Sequence, residues 1–358
     1  MMTLTQLVGR ERTRREFEAL KHEHPLQQLF WECTLRCNLH CRHCGSDCLS
    51  VSEVPDMPLE DFIRVLDDVS QHIDPATVMV STVGGEPLMR RDIAECGHAI
   101  TSRGFKWGMV TNGYMLDEEM LGRLMDAGLG SISVDLDGVR SDHNWLRCSD
   151  ESYDRAMRAI GLLSREPRLL WDVITCVHGR NIDRLEQTKR ELIDAGVKQW
   201  RCFTIIPMGR AKGIAELQLS DSQFVDLLNF IVSTRREGLI KLEYACEGYL
   251  GAYEGLVRDH FFHCDAGLTV ASVRIDGSIS GCLSIRSDYH QGNIYAGDSL
   301  WQVWHERFAP YRDREWMRTG PCAECDVFDY CQGNGMHLRD GDGQLMLCHL
   351  ARLRNVTL

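Results

Sequence analysis

The sequence predicts an α/β fold: six βα units, closed as a partial (β/α)6 barrel or laid out as an open doubly wound sheet, with a small Cys-rich domain behind them. Three features predict it. From about residue 28 to 206, short apolar runs alternate with amphipathic helical stretches, the pattern of parallel βα units. The segments SRGFKWGMV at Gly104, RLMDAGLGSISVDL around Gly128 and ELIDAGVKQWRCFTII around Gly196 resemble one another, each a helix end, a glycine cap and then a strand. Beyond about residue 238 the alternation stops and the chain becomes irregular and rich in Cys, Trp and His. The expected organisation is a helical extension over 1–28, the βα region over 29–238 and the Cys-rich domain over 239–358.

In chain order, a mostly charged, helix-prone leading segment comes first. Candidate strands then fall near 28–33, 77–83, 105–111, 130–135, 169–177 and 198–206, each followed by a helical stretch. Six such units are too few for a complete eight-stranded barrel. The helix PLEDFIRVLDDVSQHI opens with Pro58, carries Glu60 and Asp61 in its first turn, and aligns Leu59, Phe62, Ile63, Leu66, Val69 and Ile73 on one face. ATVMVSTV reads as the buried strand after it. In the last domain, TVASVRIDGSISGCLSI reads as a hairpin turning at Asp276-Gly277, a pair favoured in type I′ turns.

A chain of 358 residues with 44% hydrophobic content buries at least one large core. Its net charge of −12 gives no general attraction to phosphate backbones or anionic lipid, so no nucleic-acid partner is expected. No window approaches the roughly 18 uninterrupted apolar residues of a membrane span, and the leading residues lack the apolar core of a secretory signal. A cytoplasmic protein is expected. In that reducing compartment sixteen cysteines are poorly explained as disulfides, and their clustering points to metal. Cys96, Cys148, Cys176, Cys202 and Cys246 are scattered and read as small core or surface residues.

Five cysteines crowd into CTLRCNLHCRHCGSDC. The one C-x3-C-x2-C among them is Cys37, Cys41 and Cys44, because the spacing that begins at Cys33 meets His40 where it needs a Cys. A compact loop lowers the entropic cost of gathering thiolates for an iron–sulfur cluster. Three thiolates on a cubane leave one iron open, which is what distinguishes a catalytic metal centre from a closed structural one. Taken alone, the same spacing also suits zinc.

CNLHCRHC, with His43 before its last Cys, resembles the signature of the radical S-adenosylmethionine superfamily, where it follows the first barrel strand. That family's other motifs appear in order: GGEP at Gly84 to Pro87, TNG at Thr111 to Gly113, SVDLDG at Ser133 to Gly138, and PMGRA after the sixth strand. The matches run from residue 30 to 211. The resemblance implies a partial TIM-like barrel, a 4Fe-4S cluster on Cys37, Cys41 and Cys44, and bound S-adenosyl-L-methionine. It further implies that the segment Gly84, Gly85, Glu86 and Pro87 receives the methionine amine. The glycines allow close backbone approach and Glu86 is an available acceptor. Asn112 of TNG joins the cofactor-binding set. Ser133 and Asp135 share one face of a strand, and in the family polar residues there bind ribose hydroxyls. Arg147 aligns with an arginine that holds a substrate carboxylate, for which a bidentate guanidinium is suited. Cys33 and Cys48 flank the cluster loop. Cys33 reads as a core residue, with a part in cluster insertion or radical quenching as the alternative.

The rear cysteines, Cys264-x12-Gly277-x4-Cys282, then Cys322-x2-Cys325-x5-Cys331, then Cys348, resemble the SPASM extension of radical enzymes that modify peptides and proteins. In the family one auxiliary cluster takes the set equivalent to Cys322, Cys325, Cys331 and Cys348, which is complete here. The other would draw on Cys264 and Cys282, but Gly335 occupies the place of a further Cys. That cluster is held with help from Cys246 or a non-Cys residue such as His263, Asp265 or His337, has an open iron, or is absent. Four thiolates also suit a structural zinc.

The resemblance therefore implies a radical enzyme with one or two auxiliary iron–sulfur clusters and an electron donor such as flavodoxin or ferredoxin. Its substrate by the same resemblance is a peptide or protein side chain, and the alternative is a small haem-like or aminoglycoside-like molecule. The leading segment, about 25 residues, is too short for the winged-helix leader-binding domain of some peptide-modifying relatives. The reading from a different class is a non-enzymatic iron–sulfur or zinc interaction module built on an old barrel.

Overall fold

The computed structural model describes residues 2–245, 247–285 and 289–357; Cys246, one of the alternative ligands above, lies outside them. Seven parallel strands form its centre: β1 (Gln28–Thr34), β2 (Met79–Gly84), β3 (Lys106–Thr111), β4 (Leu129–Asp135), β5 (Leu170–Val177), β6 (Gln199–Thr204) and β7 (Lys241–Tyr244). They lie side by side in sequence order. A doubly wound sheet reverses direction at a switch point, and an unbroken order has none, so the partial barrel is the form adopted.

The six expected strands are present within about two residues of their expected bounds. The seventh, β7, extends the parallel sheet past residue 238; its four residues KLEY are too short to stand out as a periodic signal. Helices α1 (Leu4–Glu23), α2 (Leu59–Ser70), α3 (Ile93–Thr101), α4 (Glu118–Asp126), α5 (Arg140–Arg147), α6 (Ser152–Leu163), α7 (Leu185–Asp194) and α8 (Asp221–Glu237) precede or separate the strands.

Along β1 the side chains alternate as strand geometry requires. Leu29, Trp31 and Cys33 are fully buried, with the Trp31 ring stacked on Phe62 of α2 at 4.1 Å. Gln28 and Phe30 point the other way, into the barrel. Cys33 thus belongs to the core, where its thiol meets the Val83 carbonyl at 3.4 Å. In α2 the buried stripe is Phe62, Val65, Leu66 and Val69; Ile63, placed on that face by the sequence, is only half-buried, and Val65 takes its place.

The Cys-rich region is not a separate layer. Strand β8 (Val270–Val273) pairs in parallel with β1, from Gln28↔Val270 to Trp31↔Val273, and β9 (Ser278–Ser280) and β10 (Gly292–Asn293) continue the same ten-stranded sheet. The expected hairpin joins β8 to β9, but its turn is not type I′, which needs two left-handed residues. Here only Gly277 is left-handed (φ 81°), and its N–H donates to the Arg274 carbonyl at 2.9 Å. The result is a three-residue loop with a glycine bulge. This hairpin places Cys264 ahead of β8 and Cys282 just after β9, at the edge of the barrel. No described helix is long and apolar enough to cross a membrane.

Candidate active site inside the barrel

A cavity of about 580 Å³ runs through the barrel interior, from Gln28 and Ser131 on the strands to the front cysteine loop and on to Cys264 and Cys282. Cys37, Cys41 and Cys44 all line it.

The cysteine loop is fixed from several sides. The Cys37 N–H donates to the Leu49 carbonyl at 2.7 Å, and Arg42 N–H to the Leu146 carbonyl at 2.8 Å. Arg36 pairs with Asp56, which also accepts from the Thr34 hydroxyl at 2.6 Å. Arg210, the arginine of PMGRA, reaches across from the end of β6: its Nε donates to the Cys41 carbonyl at 2.7 Å and its Nη1 to the Cys48 carbonyl at 2.9 Å and to Asp47 at 2.8 Å. Gly209 lies so close beneath the loop that a Cβ would come 2.4 Å from the Cys44 carbonyl oxygen, with φ at +53°.

Burial pushes the Cys37 thiol up to about 12 and the Cys41 thiol up to about 11, the latter against the opposing pull of Arg147. Cys44 is held down to about 5, chiefly by its hydrogen bond with Cys48. Three donors point at sulfur: Asn112 Nδ2 lies 3.9 Å from Cys37 Sγ, Arg147 Nη1 lies 3.8 Å from Cys41 Sγ, and Cys48 N–H lies 3.4 Å from Cys44 Sγ. Three thiols on one wall, with a donor aimed at each of them, form a donor set suited to an iron–sulfur cluster, whose sulfurs are tuned by such bonds.

The GGEP segment also has a structural part that the sequence does not reveal. Gly84 (φ 132°) and Gly85 pass against the β1 end, where Cβ atoms would meet the Thr34 oxygen at 2.2 Å and the Arg36 oxygen at 2.3 Å. The close approach is to the protein's own backbone. Gly85 N–H donates to the Thr34 carbonyl at 2.8 Å and Glu86 N–H to the Arg36 carbonyl at 2.9 Å, so these N–H groups hold the cysteine loop. Among the described residues the Gly85 carbonyl accepts no hydrogen bond, and an ammonium group needs such an acceptor.

Glu86 and Pro87 are buried behind the cavity wall and do not line it. One Glu86 oxygen accepts from the Thr111 hydroxyl at 2.7 Å and from Leu88 N–H at 3.1 Å, the other from Asn112 N–H at 2.8 Å. Glu86 therefore links GGEP to TNG. Asn112 does reach the cavity, with its amide nitrogen donating to Asn38 at 2.9 Å.

Ser133 and Asp135 share the inward face of β4 as expected. The Ser133 hydroxyl donates to Asp172 at 2.6 Å and accepts from Arg201 at 3.0 Å. Arg147 is buried between two carboxylates, with Nη1 3.1 Å from Asp135 and Nε 2.5 Å from Asp137. Burial lifts Asp135 to about 6, against the pull of Arg147. Asp137, Asp172, Arg201 and Arg210 went unassigned in the sequence. Asp137 had a signal, continuing the alternation of Ser133 and Asp135 in SVDLDG; Asp172 and Arg201 lie on strands that carry no motif.

At the rear, Cys264 and Cys282 face the same cavity, and His337 lines it with them. Cys322, Cys325, Cys331 and Cys348 converge elsewhere, close enough that Cys331, already pushed up by burial, is raised further by the other three. Arg339 Nη2 approaches Cys322 Sγ at 3.4 Å. His263 and Asp265 pair with each other at 2.9 Å.

A parallel partial barrel with three cysteines of C-x3-C-x2-C spacing on its inner wall, followed by a Cys-rich extension on the same sheet, defines a class of radical enzyme. The Radical SAM superfamily model matches residues 31–192, and the SPASM iron-sulfur cluster-binding domain model matches residues 264–326. The chain is similar to the Fe-coproporphyrin III synthase of Methanosarcina barkeri (31% identical, 85% of this chain and 82% of that one). It is also similar to the mycofactocin maturase MftC of Mycobacterium tuberculosis (27% identical, 86% and 78%). Its fold matches the solved structure of native anSMEcpe with bound AdoMet, with a TM-score of 0.72 at 19% identity over 92% of this chain and 95% of that one. The protein belongs to the radical SAM superfamily and carries a SPASM domain. Its cofactors are accordingly a 4Fe-4S cluster, S-adenosylmethionine and auxiliary iron–sulfur clusters, for which the donor sets above are suited.

Proposed function

We propose that this radical SAM enzyme abstracts hydrogen from a peptide or protein side chain. The observation that carries the reading is the state of the cavity's cations. Three arginines line it, and each is already engaged: Arg147 by Asp135 and Asp137, Arg201 by Asp172, Arg210 by Asp47 and two carbonyls. No lysine is among the lining residues described. A neutral side chain enters such a space without an unpaired charge, whereas a polycarboxylate would need a free cation.

In this reading Cys37, Cys41 and Cys44 hold the cluster, which when loaded reduces S-adenosylmethionine to give the 5′-deoxyadenosyl radical. The Gly85 carbonyl receives the methionine amine, Asp135 accepts from the ribose, and Asn112 donates towards the cluster sulfurs. Arg147 stabilises the thiolate of Cys41 and fixes Asp135, in place of binding a substrate carboxylate. Cys322, Cys325, Cys331 and Cys348 hold one auxiliary cluster. Flavodoxin or ferredoxin is the proposed electron donor.

The second reading, conversion of a small porphyrin-like substrate, is favoured by the 31% identity to Fe-coproporphyrin III synthase. The test is anaerobic incubation with reductant, S-adenosylmethionine and either a peptide pool or Fe-coproporphyrin III, read by mass spectrometry. A mass or stereochemical change in a peptide, matched by 5′-deoxyadenosine above the substrate-free level, supports the proposal. Turnover of the porphyrin alone overturns it. The Cys37/Cys41/Cys44→Ala variant is the control: 5′-deoxyadenosine release equal to wild type would refute the assignment of the front cluster.

A further inference from the structure

Gly335 marks the one place where the rear pattern lacks a thiol, and the structure shows what fills that space. A Cβ at position 335 would come 2.6 Å from His337 Cε1 and 3.0 Å from His337 Nδ1. The His337 imidazole therefore occupies the volume that a cysteine side chain at 335 would use. The short 3-10 helix Met336–Leu338, closed by Leu338 N–H to the Gly335 carbonyl at 2.9 Å, holds it there.

Two further observations bear on the ring. It lines the same cavity as Cys264 and Cys282, which are near enough to influence one another. It is also buried as a residue, and among the described residues neither ring nitrogen has a hydrogen-bond partner, while neither is itself sealed from solvent. Of the neighbouring candidates, His263 does not line the cavity and its Nε2 pairs with Asp265, which also accepts from Thr269 at 3.3 Å. Of the two histidines, only His337 combines unpartnered ring nitrogens with a place on the wall of the cavity that Cys264 and Cys282 also line.

We propose that His337 is the protein ligand that replaces the missing cysteine, so that the auxiliary cluster at Cys264 and Cys282 has a Cys, Cys, His donor set. Histidine nitrogen is an established substitute for thiolate on iron–sulfur clusters, and it raises their potential because a neutral ligand replaces an anionic one. Three protein ligands also leave that cluster open towards the cavity. The inference rests on the SPASM assignment and not on the peptide reading, and its test involves no substrate.

The experiment uses full-length protein, anaerobically reconstituted with iron and sulfide in the Cys37/Cys41/Cys44→Ala background to remove the front signal. Pulsed EPR of the reduced clusters is recorded with natural-abundance and with ¹⁵N-histidine-labelled protein. The expected result is a strongly coupled nitrogen that changes with the label. In H337C the iron content is retained, the coupling disappears and the midpoint potential of that cluster falls. A coupling that persists in H337C overturns the proposal, as does its absence from the parent protein. Because labelling reads the chain with His337 in place, the result does not depend on H337C folding.

Discussion

Arg147 Nε lies 2.5 Å from Asp137 Oδ2, and both side chains are buried. The same guanidinium reaches Asp135 at 3.1 Å and Cys41 Sγ at 3.8 Å, so one arginine ties two turns of the SVDLDG segment to the cysteine loop. Asp137 also accepts from Cys176 N–H at 2.9 Å, and its neighbour Arg147 holds its carboxyl well below the usual range against the cost of burial. Removing one partner of a buried pair leaves the other charge uncompensated. Asp137→Asn is therefore expected to lower stability by about 3 kcal/mol, the lower end for a broken buried pair because Asp135 remains. Denaturant midpoints of the anaerobic holoprotein check this; a change under about 0.5 kcal/mol, the usual scale of a neutral surface substitution, would reject it.

Glu86 supplies the pH dependence. Burial raises its carboxyl to about 7, against the hydrogen bonds from Asn112, Thr111 and Leu88. A raised carboxyl pKa means that the folded state favours the protonated form. Its stabilising contribution is complete below the unfolded value near 4.5 and is lost as pH rises through 7. The difference corresponds to about 3 kcal/mol. Melting temperatures of wild type should fall relative to Glu86→Gln between pH 5 and 8, and parallel profiles would show that Glu86 does not titrate in this window.

Much of this was legible in the sequence, for identifiable reasons. Strand positions were readable because apolar runs alternate with amphipathic stretches, and three of the six units repeat a helix end, a glycine and an apolar run, as at Gly128 before Leu129–Asp135. The cysteine loop was readable because its ligands lie within eight residues of each other, Cys37 to Cys44. What stayed hidden is contact between distant segments. Nothing local marks Asp172 and Arg201 as partners of Ser133, since they come from β5 and β6 and meet it only once those strands pair in register beside β4. Glu86 was misplaced because its motif position says that it sits near the cofactor but not which way it faces. The edge pairing of β8 with β1 was equally invisible, because four residues of VASV carry no address for their partner.

Gly85→Ala tests the backbone crossing. A methyl group there would sit 2.3 Å from the Arg36 oxygen and 2.8 Å from the Arg36 carbonyl carbon, both backbone atoms that cannot rotate away. The residue after Arg36 is Cys37, so the displacement passes directly to a cysteine proposed as a cluster ligand. The expected outcome is loss of roughly a tenfold or greater factor in 5′-deoxyadenosine formation, equivalent to at least about 1.4 kcal/mol. Rear cluster iron should be unaffected. Wild-type rates in this variant would mean that the loop has slack not apparent from the structure.

Arg210, the arginine of PMGRA, makes the strongest case for a positioning residue of the cysteine loop. Its guanidinium spans the Cys41 and Cys48 carbonyls and Asp47, while its backbone N–H donates to the Cys44 carbonyl at 3.0 Å. Its fork joins the loop at several points at once, which a lysine ammonium on a flexible stem cannot reproduce. The backbone contact survives any substitution, so Arg210→Lys and Arg210→Ala remove only the fork. Both are expected to load iron normally, then lose front-cluster iron several-fold faster than wild type to a chelator, with Lys little better than Ala. The rear clusters serve as the internal reference, because Cys322 and Cys331 make no contact with this arginine among the described residues. If Lys restores full retention, the arginine acts by charge alone and the geometry of the fork is immaterial.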